Sequence, residues 1–283
     1  MEKRKLGKTG EEISMVGFGG IVVRNETPEN AKRFVAMAVE ERGVNYFDVA
    51  PSYGNAEERL GPALEPHRDS VFLACKTGKR DAKGAEEELH NSLKILRTDH
   101  FDLYQLHAVS SMDDVEQITA PGGALETFIK AREKGLTRFL GFSAHSEEAA
   151  MELMDRFAFD TMLFPFNWVC WHQGNFGHKV LEKAHKKGLG ILALKALAKR
   201  RWKKDEKRKW NKVWYSPVDT FEEASLALRF TLSKPITAAT SPSHVEFLWW
   251  ACDAADKFTP LSEKEAKEVA ERTAGLEPIF PQG

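Results

Sequence analysis

Eight short apolar runs recur along this 283-residue chain, and amphipathic segments of helical length lie between them. This alternation is typical of repeated βα units around a parallel sheet. Eight parallel strands, each followed by a helix, within about 250 residues predict an α/β fold, the (β/α)8 or TIM barrel. The predicted strands are residues 15–19, 45–50, 71–76, 101–107, 139–143, 161–167, 190–197 and 236–241.

An open, doubly wound sheet fits the sequence less well, because no G-x-G-x-x-G follows a predicted strand. The opening KRKLGKTGEEIS predicts a short N-terminal β-hairpin that closes the bottom of the barrel. No linker divides the chain, so we expect one domain over residues 1–283. The predicted helices include residues 27–42, 85–96, 124–134, 147–157, 179–187 and 221–232.

The charge of the chain is nearly balanced, with 41 Lys plus Arg against 42 Asp plus Glu. Such a chain has no overall field that would steer it to nucleic acid or to an anionic membrane. A small-molecule substrate is the better expectation, and the sequence does not indicate an oligomeric state. No apolar run approaches the roughly 20 residues of a membrane span, and the charged N-terminus lacks a signal-peptide core, so a cytoplasmic location is expected.

One segment, at about residues 199–215, interrupts the repeating pattern after the seventh predicted strand. It combines many basic residues with three tryptophans. Basic residues interleaved with aromatic ones are found in nucleic-acid sites. The balanced charge of the whole chain instead favours a solvated helical insertion whose tryptophans pack on the barrel. A site for a phosphate-bearing small ligand is the next alternative.

Four polar residues lie at or just after strand ends, where TIM barrels place their chemistry: Asp48, Tyr53, Lys76 and His107. Each alone has an ordinary structural explanation. Together, the Lys76 ammonium would draw the pKa of Tyr53 toward neutrality, and Asp48 would keep Lys76 charged. His107 would donate a hydrogen bond to a substrate carbonyl. Because side chains alternate along a strand, Cys75 should point outward and be packing.

Such a site protonates an oxygen but supplies no electrons. Reduction of a carbonyl therefore requires a bound hydride donor, which indicates a nicotinamide cofactor. The three cysteines, Cys75, Cys170 and Cys252, are far apart and are expected to be buried thiols. The histidines at 172, 178 and 185 have no common ligand spacing, so no metal is expected.

The chain resembles the aldo-keto reductase family over essentially its whole length. The resemblance lies in LGKTGEEISMVGFGG, FDVAPSYGNAEERLG, LACKTG, DLYQLH and GFSAHS. It implies that Asp48, Tyr53, Lys76 and His107 are catalytic, with Tyr53 as the general acid. It also implies an NAD(P)-dependent oxidoreductase that transfers a hydride between NADPH or NADH and a carbonyl or alcohol.

The same resemblance implies a set of cofactor-binding residues, and several expected contacts are replaced. Ala144 and Leu163 stand where the family has an Asn and a Gln for the nicotinamide carboxamide, and Leu194 replaces a stacking aromatic. NADPH is the expected cofactor and NADH remains an alternative. The implied cofactor-binding residues are Gly20, Ser143, Asn167, Lys195, Leu197, Ser241, Ser243 and His244.

Trp168 and Trp171 follow the sixth predicted strand and are expected to wall the substrate pocket, although large aromatics are more often core. The missing carboxamide contacts leave two other functions open. One is a dinucleotide-binding redox sensor or partner subunit with vestigial activity. The other is an enzyme that retains NAD(P) for internal redox chemistry, such as elimination or epimerisation. The natural substrate is not indicated.

Overall fold

A computed structural model describes residues 1–280, and it opens with a two-stranded hairpin. Strands β1 (Lys3–Lys5) and β2 (Glu12–Ser14) pair antiparallel. Leu6 and Ile13, from the hairpin, are fully buried among the apolar side chains that fill the barrel interior. The predicted hairpin at the barrel bottom is therefore confirmed. The last three residues of the predicted domain lie outside the described part, and the extent of that domain stays a prediction.

Eight parallel strands close into a barrel in chain order. This confirms the predicted TIM barrel, and every predicted strand coincides with an observed one. The barrel strands are β3 (Val16–Gly19), β4 (Tyr46–Asp48), β5 (Phe72–Thr77), β6 (Phe101–Val109), β7 (Thr137–Ala144), β8 (Thr161–Pro165), β9 (Gly190–Leu194) and β12 (Ala238–Thr240). The eighth barrel strand, β12, pairs with both the first barrel strand, β3, and the seventh, β9.

Side chains alternate along each strand between the barrel interior and the helix layer. The interior is apolar next to the hairpin and polar at the carboxyl ends of the strands. On β5, Phe72 and Ala74 belong to the apolar interior, and Lys76 is the next residue of the same face. The intervening Cys75 points to the helix layer, where its Sγ lies 3.6 Å from Glu57 Oε1. Cys75 is therefore a packing residue, as the alternation predicts.

Helices surround the barrel, and their N-termini are mostly capped by side-chain oxygens, as at Thr27 and Asp81. The predicted helix 27–42 is observed as an α-helix followed by a π-helical turn, Met37–Glu41. The helices are α1 (Pro28–Ala36), α2 (Ala56–Leu64), α3 (Ala82–Leu96), α4 (Met112–Thr119), α5 (Ala124–Glu133), α6 (Glu147–Arg156), α7 (Trp168–Gln173), α8 (His178–Lys187), α9 (Phe221–Leu232), α10 (Val245–Asp256) and α11 (Glu263–Arg272).

The segment at residues 199–215 is not helical, so that part of the prediction is wrong. Two short antiparallel strands, β10 (Ala198–Arg200) and β11 (Ser216–Pro217), form its base, and irregular loop lies between them. Trp210 packs against Phe247 of α10, with ring centroids 4.5 Å apart. Trp214 is 52% exposed.

Among residues 1–280, no helix is both long and apolar enough to cross a bilayer.

We predict that Leu6→Ala destabilises the protein, because it opens a cavity where the hairpin closes the barrel interior. The expected loss in free energy of unfolding is about 2–5 kcal/mol, measured by urea denaturation. Leu125→Ala, at a partly exposed position of α5, is the matched control and should cost less. Equal losses in the two variants would show that the hairpin does not seal the barrel.

Candidate functional site

The floor of the site is a buried ion pair between two neighbouring strands. Asp48 ends β4 and is 3% exposed, and Lys76, near the end of β5, is fully buried. Lys76 Nζ forms a salt bridge with Asp48 Oδ1 and lies 3.3 Å from the Val49 carbonyl oxygen. The other carboxylate oxygen, Oδ2, accepts hydrogen bonds from Tyr46 Oη at 3.3 Å and Gln105 Nε2 at 3.0 Å.

The charge state of Lys76 follows from this pairing. Burial lowers the pKa of Lys76, but the nearby Asp48 carboxylate and, once it ionises, the Tyr53 phenolate outweigh it, so the pKa is raised overall. Lys76 therefore keeps its ammonium charge across the physiological pH range.

Tyr46 and Gln105, which hold the carboxylate in place, are site residues that the sequence analysis missed. Their signal was available, because both lie on the inward face of strands that carry predicted site residues.

Tyr53 lies above the ion pair, in the turn that follows β4. Its backbone N–H donates to the Ala50 carbonyl oxygen at 3.0 Å, which closes the turn. Lys76 Nζ lies 5.3 Å from the centroid of the Tyr53 ring. The His107 ring meets the Tyr53 ring edge to face, with centroids 5.6 Å apart. The structure thus brings together all four residues that the sequence analysis selected.

The pKa of Tyr53 differs from the expectation. Burial raises it, and the opposing effect of Lys76 is smaller, so the pKa lies above its ordinary value instead of near neutrality. The expected shift toward neutrality is therefore wrong for this state of the protein. A phenol of this kind stays protonated at neutral pH and is ready to give its proton to an oxygen that gains negative charge.

His107 is held as a neutral imidazole. Burial, followed by the positive charge of Lys76, lowers its pKa to about 2. Its Nδ1 lies 3.3 Å from Ser52 Oγ. A neutral imidazole keeps one N–H donor and one acceptor nitrogen. His107 is therefore suited to hydrogen-bond a substrate oxygen without adding a positive charge beside Lys76.

A cavity of about 260 Å³ opens above these residues. Its sides come from the ends of β7, β8, β9 and β12, and its cover comes from the segment 212–215 of the loop between β10 and β11. Of the predicted cofactor residues, Ser143, Lys195, Ser241 and Ser243 line this cavity. Gly20, Leu197, Asn167 and His244 lie outside its lining.

Asn167 is buried, and its amide already has four hydrogen bonds. Its Nδ2 donates to the carbonyl oxygens of Lys195 and Ala198, and its Oδ1 accepts from the N–H groups of Val169 and Cys170. These bonds use the full capacity of the amide. Asn167 therefore supports the turn after β9, and the structure gives it no free group for a carboxamide.

Two serine hydroxyls of the cavity remain available to a ligand. Ser243 Oγ is buried and has no hydrogen-bond partner within residues 1–280. Ser143 Oγ accepts from the Ala108 N–H at 2.8 Å, which leaves its own hydroxyl hydrogen to be donated. His244, by contrast, accepts from the Lys212 N–H at 3.3 Å and packs against Trp210.

The aromatic walls of the cavity are not those predicted. Trp168 is 1% exposed and its Nε1 donates to the Ala198 carbonyl oxygen, so it is core. Trp171 packs on His178 outside the cavity. Trp214 and Tyr215 line the cavity instead. The three-tryptophan pattern of the segment 199–215 was the available signal for them.

Lys212 fastens the cover of the cavity to the other side of the barrel mouth. Its Nζ donates to Glu26 at 2.7 Å and to the Val22 carbonyl oxygen at 3.3 Å. Arg24 donates to the Lys212 carbonyl oxygen at 3.3 Å.

Within residues 1–280, no three His, Cys, Asp or Glu side chains are close enough to hold a metal ion.

Comparison with known proteins identifies the family. The model of the aldo/keto reductase family matches residues 15–271. The chain therefore belongs to the aldo/keto reductase family, whose members are NAD(P)-dependent oxidoreductases. The fold agrees, since aldo-keto reductase AKR11C1 from Bacillus halodurans, in its holo form, superposes with a TM-score of 0.76 at 23% identity over 100% of both chains.

Individual relatives match over shorter stretches. The uncharacterized oxidoreductase YqkF of Bacillus subtilis is 33% identical over 158 residues, which cover 51% of this chain and 49% of that protein. L-galactose dehydrogenase of Arabidopsis thaliana is 28% identical over 217 residues, which cover 70% and 67%. The match thus spans about half of YqkF and about two thirds of the plant dehydrogenase.

We predict that His107 does not titrate between about pH 4.5 and 8, because its pKa is near 2 and that of an unfolded histidine is about 6.5. Its imidazole NMR signals, assigned by their loss in His107→Gln, should not move over that range. Below about pH 6.5 His107 is protonated in the unfolded chain but not in the folded protein. This residue therefore lowers the free energy of unfolding as the pH falls below about 6.5. A titration midpoint of His107 near pH 6.5 would contradict the prediction that burial and the charge of Lys76 lower its pKa.

Proposed function

We propose that this protein reduces a carbonyl substrate to an alcohol, and performs the reverse reaction, with Tyr53 as the general acid and base. The observation that carries the proposal is the position of Tyr53. Its ring lies between a charged lysine and a neutral histidine on the floor of a cavity that is open to a ligand.

The roles of the four residues follow from their charges. His107 donates a hydrogen bond that orients the substrate oxygen toward Tyr53. Tyr53 gives its proton to that oxygen, and the Lys76 ammonium stabilises the phenolate that is left. Asp48 is a positioning residue, because it acts through Lys76, which it holds charged and in place.

A nicotinamide dinucleotide, when bound, supplies or accepts the hydride. The residues of the cavity fit such a group. Ser143 has a hydroxyl hydrogen for a carboxamide oxygen, and the unpaired Ser243 hydroxyl and the Lys212 ammonium fit phosphate oxygens. NADPH is the proposed dinucleotide and NADH is the alternative.

A second function, a dinucleotide-binding sensor or partner subunit with slow turnover, is favoured by one observation. Leu163 lines the cavity where a polar partner of the carboxamide is expected, and the amide of Asn167 is occupied elsewhere. Titration with NADPH and NADH, followed by tryptophan fluorescence, tests binding. Turnover with a panel of aldehydes, followed at 340 nm, then separates an enzyme from a sensor. Dinucleotide that copurifies in stoichiometric amount would indicate internal redox chemistry.

Tyr53→Phe should lower kcat roughly 10²- to 10⁴-fold, because it removes the proton donor. Dinucleotide affinity should be retained, since the ring remains. Tyr104→Phe is the matched control: the Tyr104 hydroxyl is buried without a partner within residues 1–280, so its loss should leave turnover intact. Wild-type kcat in Tyr53→Phe would overturn the assignment.

Lys212→Met should weaken dinucleotide binding roughly 10- to 100-fold if Lys212 contacts a phosphate. A larger loss for NADPH than for NADH would place that contact at the 2′-phosphate. Lys209→Met, in the same segment but outside the cavity lining, is the control and should bind normally. Unchanged Kd values in Lys212→Met would remove this residue from the cofactor site.

A further inference from the structure

Lys195 has an environment that differs from that of every other cation in the cavity lining. The lining contains three lysines. Lys76 is paired with Asp48, and Lys212 is paired with Glu26. The Lys195 ammonium forms no ion pair with a carboxylate of residues 1–280, and its one polar side-chain neighbour there is His145, whose Nε2 lies 3.4 Å away.

The neighbours of Lys195 cannot neutralise its charge. Burial lowers the pKa of His145 to about 3, so this ring is neutral. Burial raises the pKa of the nearby Cys170 thiol to about 11, so it is not an anion at neutral pH. The remaining contacts are aromatic: Lys195 Nζ lies 5.9 Å from the ring centroid of Trp214 and 5.5 Å from that of Phe280.

The backbone holds Lys195 in an unfavourable conformation. Its φ is +63°, in the left-handed region, which is unfavourable for a residue with a side chain. The Asn167 amide and the Ala198 N–H both donate to the Lys195 carbonyl oxygen, at 3.1 and 2.9 Å, and stabilise this turn. These hydrogen bonds hold the backbone of Lys195 in its strained conformation, and they thereby fix where its side chain leaves the backbone.

Lys195 is a half-buried cation with no carboxylate partner in the described chain, and a ligand that supplies the opposite charge would stabilise it. We propose that Lys195 binds the carboxylate of the substrate, so that the protein acts on carbonyl compounds that also carry an acid group. This inference rests on the proposed reductase function, because it places the carbonyl at Tyr53 and the acid at Lys195 of the same cavity.

The number of charges favours a carboxylate over a phosphate. Asp48 and Glu26 already balance the other two lysines of the lining, so one positive charge is left for one negative charge. At Lys195 a dianionic phosphate ester would leave its second negative charge unpaired. The ring of Trp214, which lines the cavity beside Lys195, suits an apolar body between the carbonyl and the acid.

The test compares 4-carboxybenzaldehyde with its methyl ester, two aldehydes that differ in the negative charge. Wild-type protein should have the higher kcat/KM for the acid. In Lys195→Met the acid-to-ester ratio of kcat/KM should fall roughly 10- to 100-fold, and Lys195→Arg should restore part of it. Lys234→Met is the control, because Lys234 packs on Trp171 outside the cavity, and it should keep the wild-type ratio.

The pH dependence provides a second readout. Burial lowers the pKa of Lys195 to about 7. His107 and His145 are already neutral, and Cys170, Tyr53 and Lys76 keep their protons, so Lys195 is the group among these neighbours that changes charge between about pH 6 and 9. KM for the acid should therefore rise with pH above about 7, and KM for the ester should not follow it.

The outcomes separate this inference from the proposed function. If neither aldehyde is reduced with NADPH or NADH, the proposed function fails. Calorimetric titration with benzoate and benzamide then tests Lys195 alone, with benzoate expected to bind better and Lys195→Met expected to lose the preference. An equal acid-to-ester ratio in wild type and Lys195→Met would overturn the inference. It would also be overturned if Lys195→Met lowered kcat/KM for glyceraldehyde 3-phosphate more than kcat/KM for the acid. The same holds if Lys195→Met changed only the affinity for NADPH.

Discussion

The Asp48–Lys76 ion pair is the interaction on which the rest of the site depends. Two charges have been taken out of water at the top of the barrel, and such a pair is stable only when its remaining hydrogen-bonding groups are also satisfied. Tyr46, Gln105 and the Val49 carbonyl oxygen satisfy them. The closed barrel makes this arrangement possible, because it holds three neighbouring strands in fixed register around one carboxylate.

The sequence was sufficient for the fold and for the centre of the site. Strand-length apolar runs predict a barrel without knowledge of any contact, and the rule that strand ends carry chemistry then selects Asp48, Lys76 and His107. The sequence was less informative about Tyr53, because its pKa depends on two opposing effects. A sequence shows the neighbouring lysine, but the degree of burial that outweighs it exists only in the folded chain.

The walls of the cavity were predicted less well, for a physical reason. Trp168 and Trp171 follow a strand end, as wall residues should, but α7 begins at once and turns Trp168 into the core. Trp214 and Tyr215 reach the cavity from the loop between β10 and β11. The path of a long irregular loop is decided by distant contacts, here those of Lys212 with Glu26 and of Trp210 with Phe247. No local pattern contains that information.

The same distinction separates Lys195 from Asn167, which the family resemblance implied alike as cofactor-binding residues. Asn167 has the residue type expected of a ligand-binding amide, yet all its hydrogen bonds serve the turn that begins at Lys195. Lys195 has the residue type of an ordinary strand end, yet it is the cation of the cavity without a carboxylate partner in the described chain. Binding capacity is therefore read from unused charge and unused hydrogen bonds, which residue type alone does not show. By that criterion the polar groups of the cavity walls that are left for ligands are Lys195, Ser143, Ser243 and the third N–H of the Lys212 ammonium.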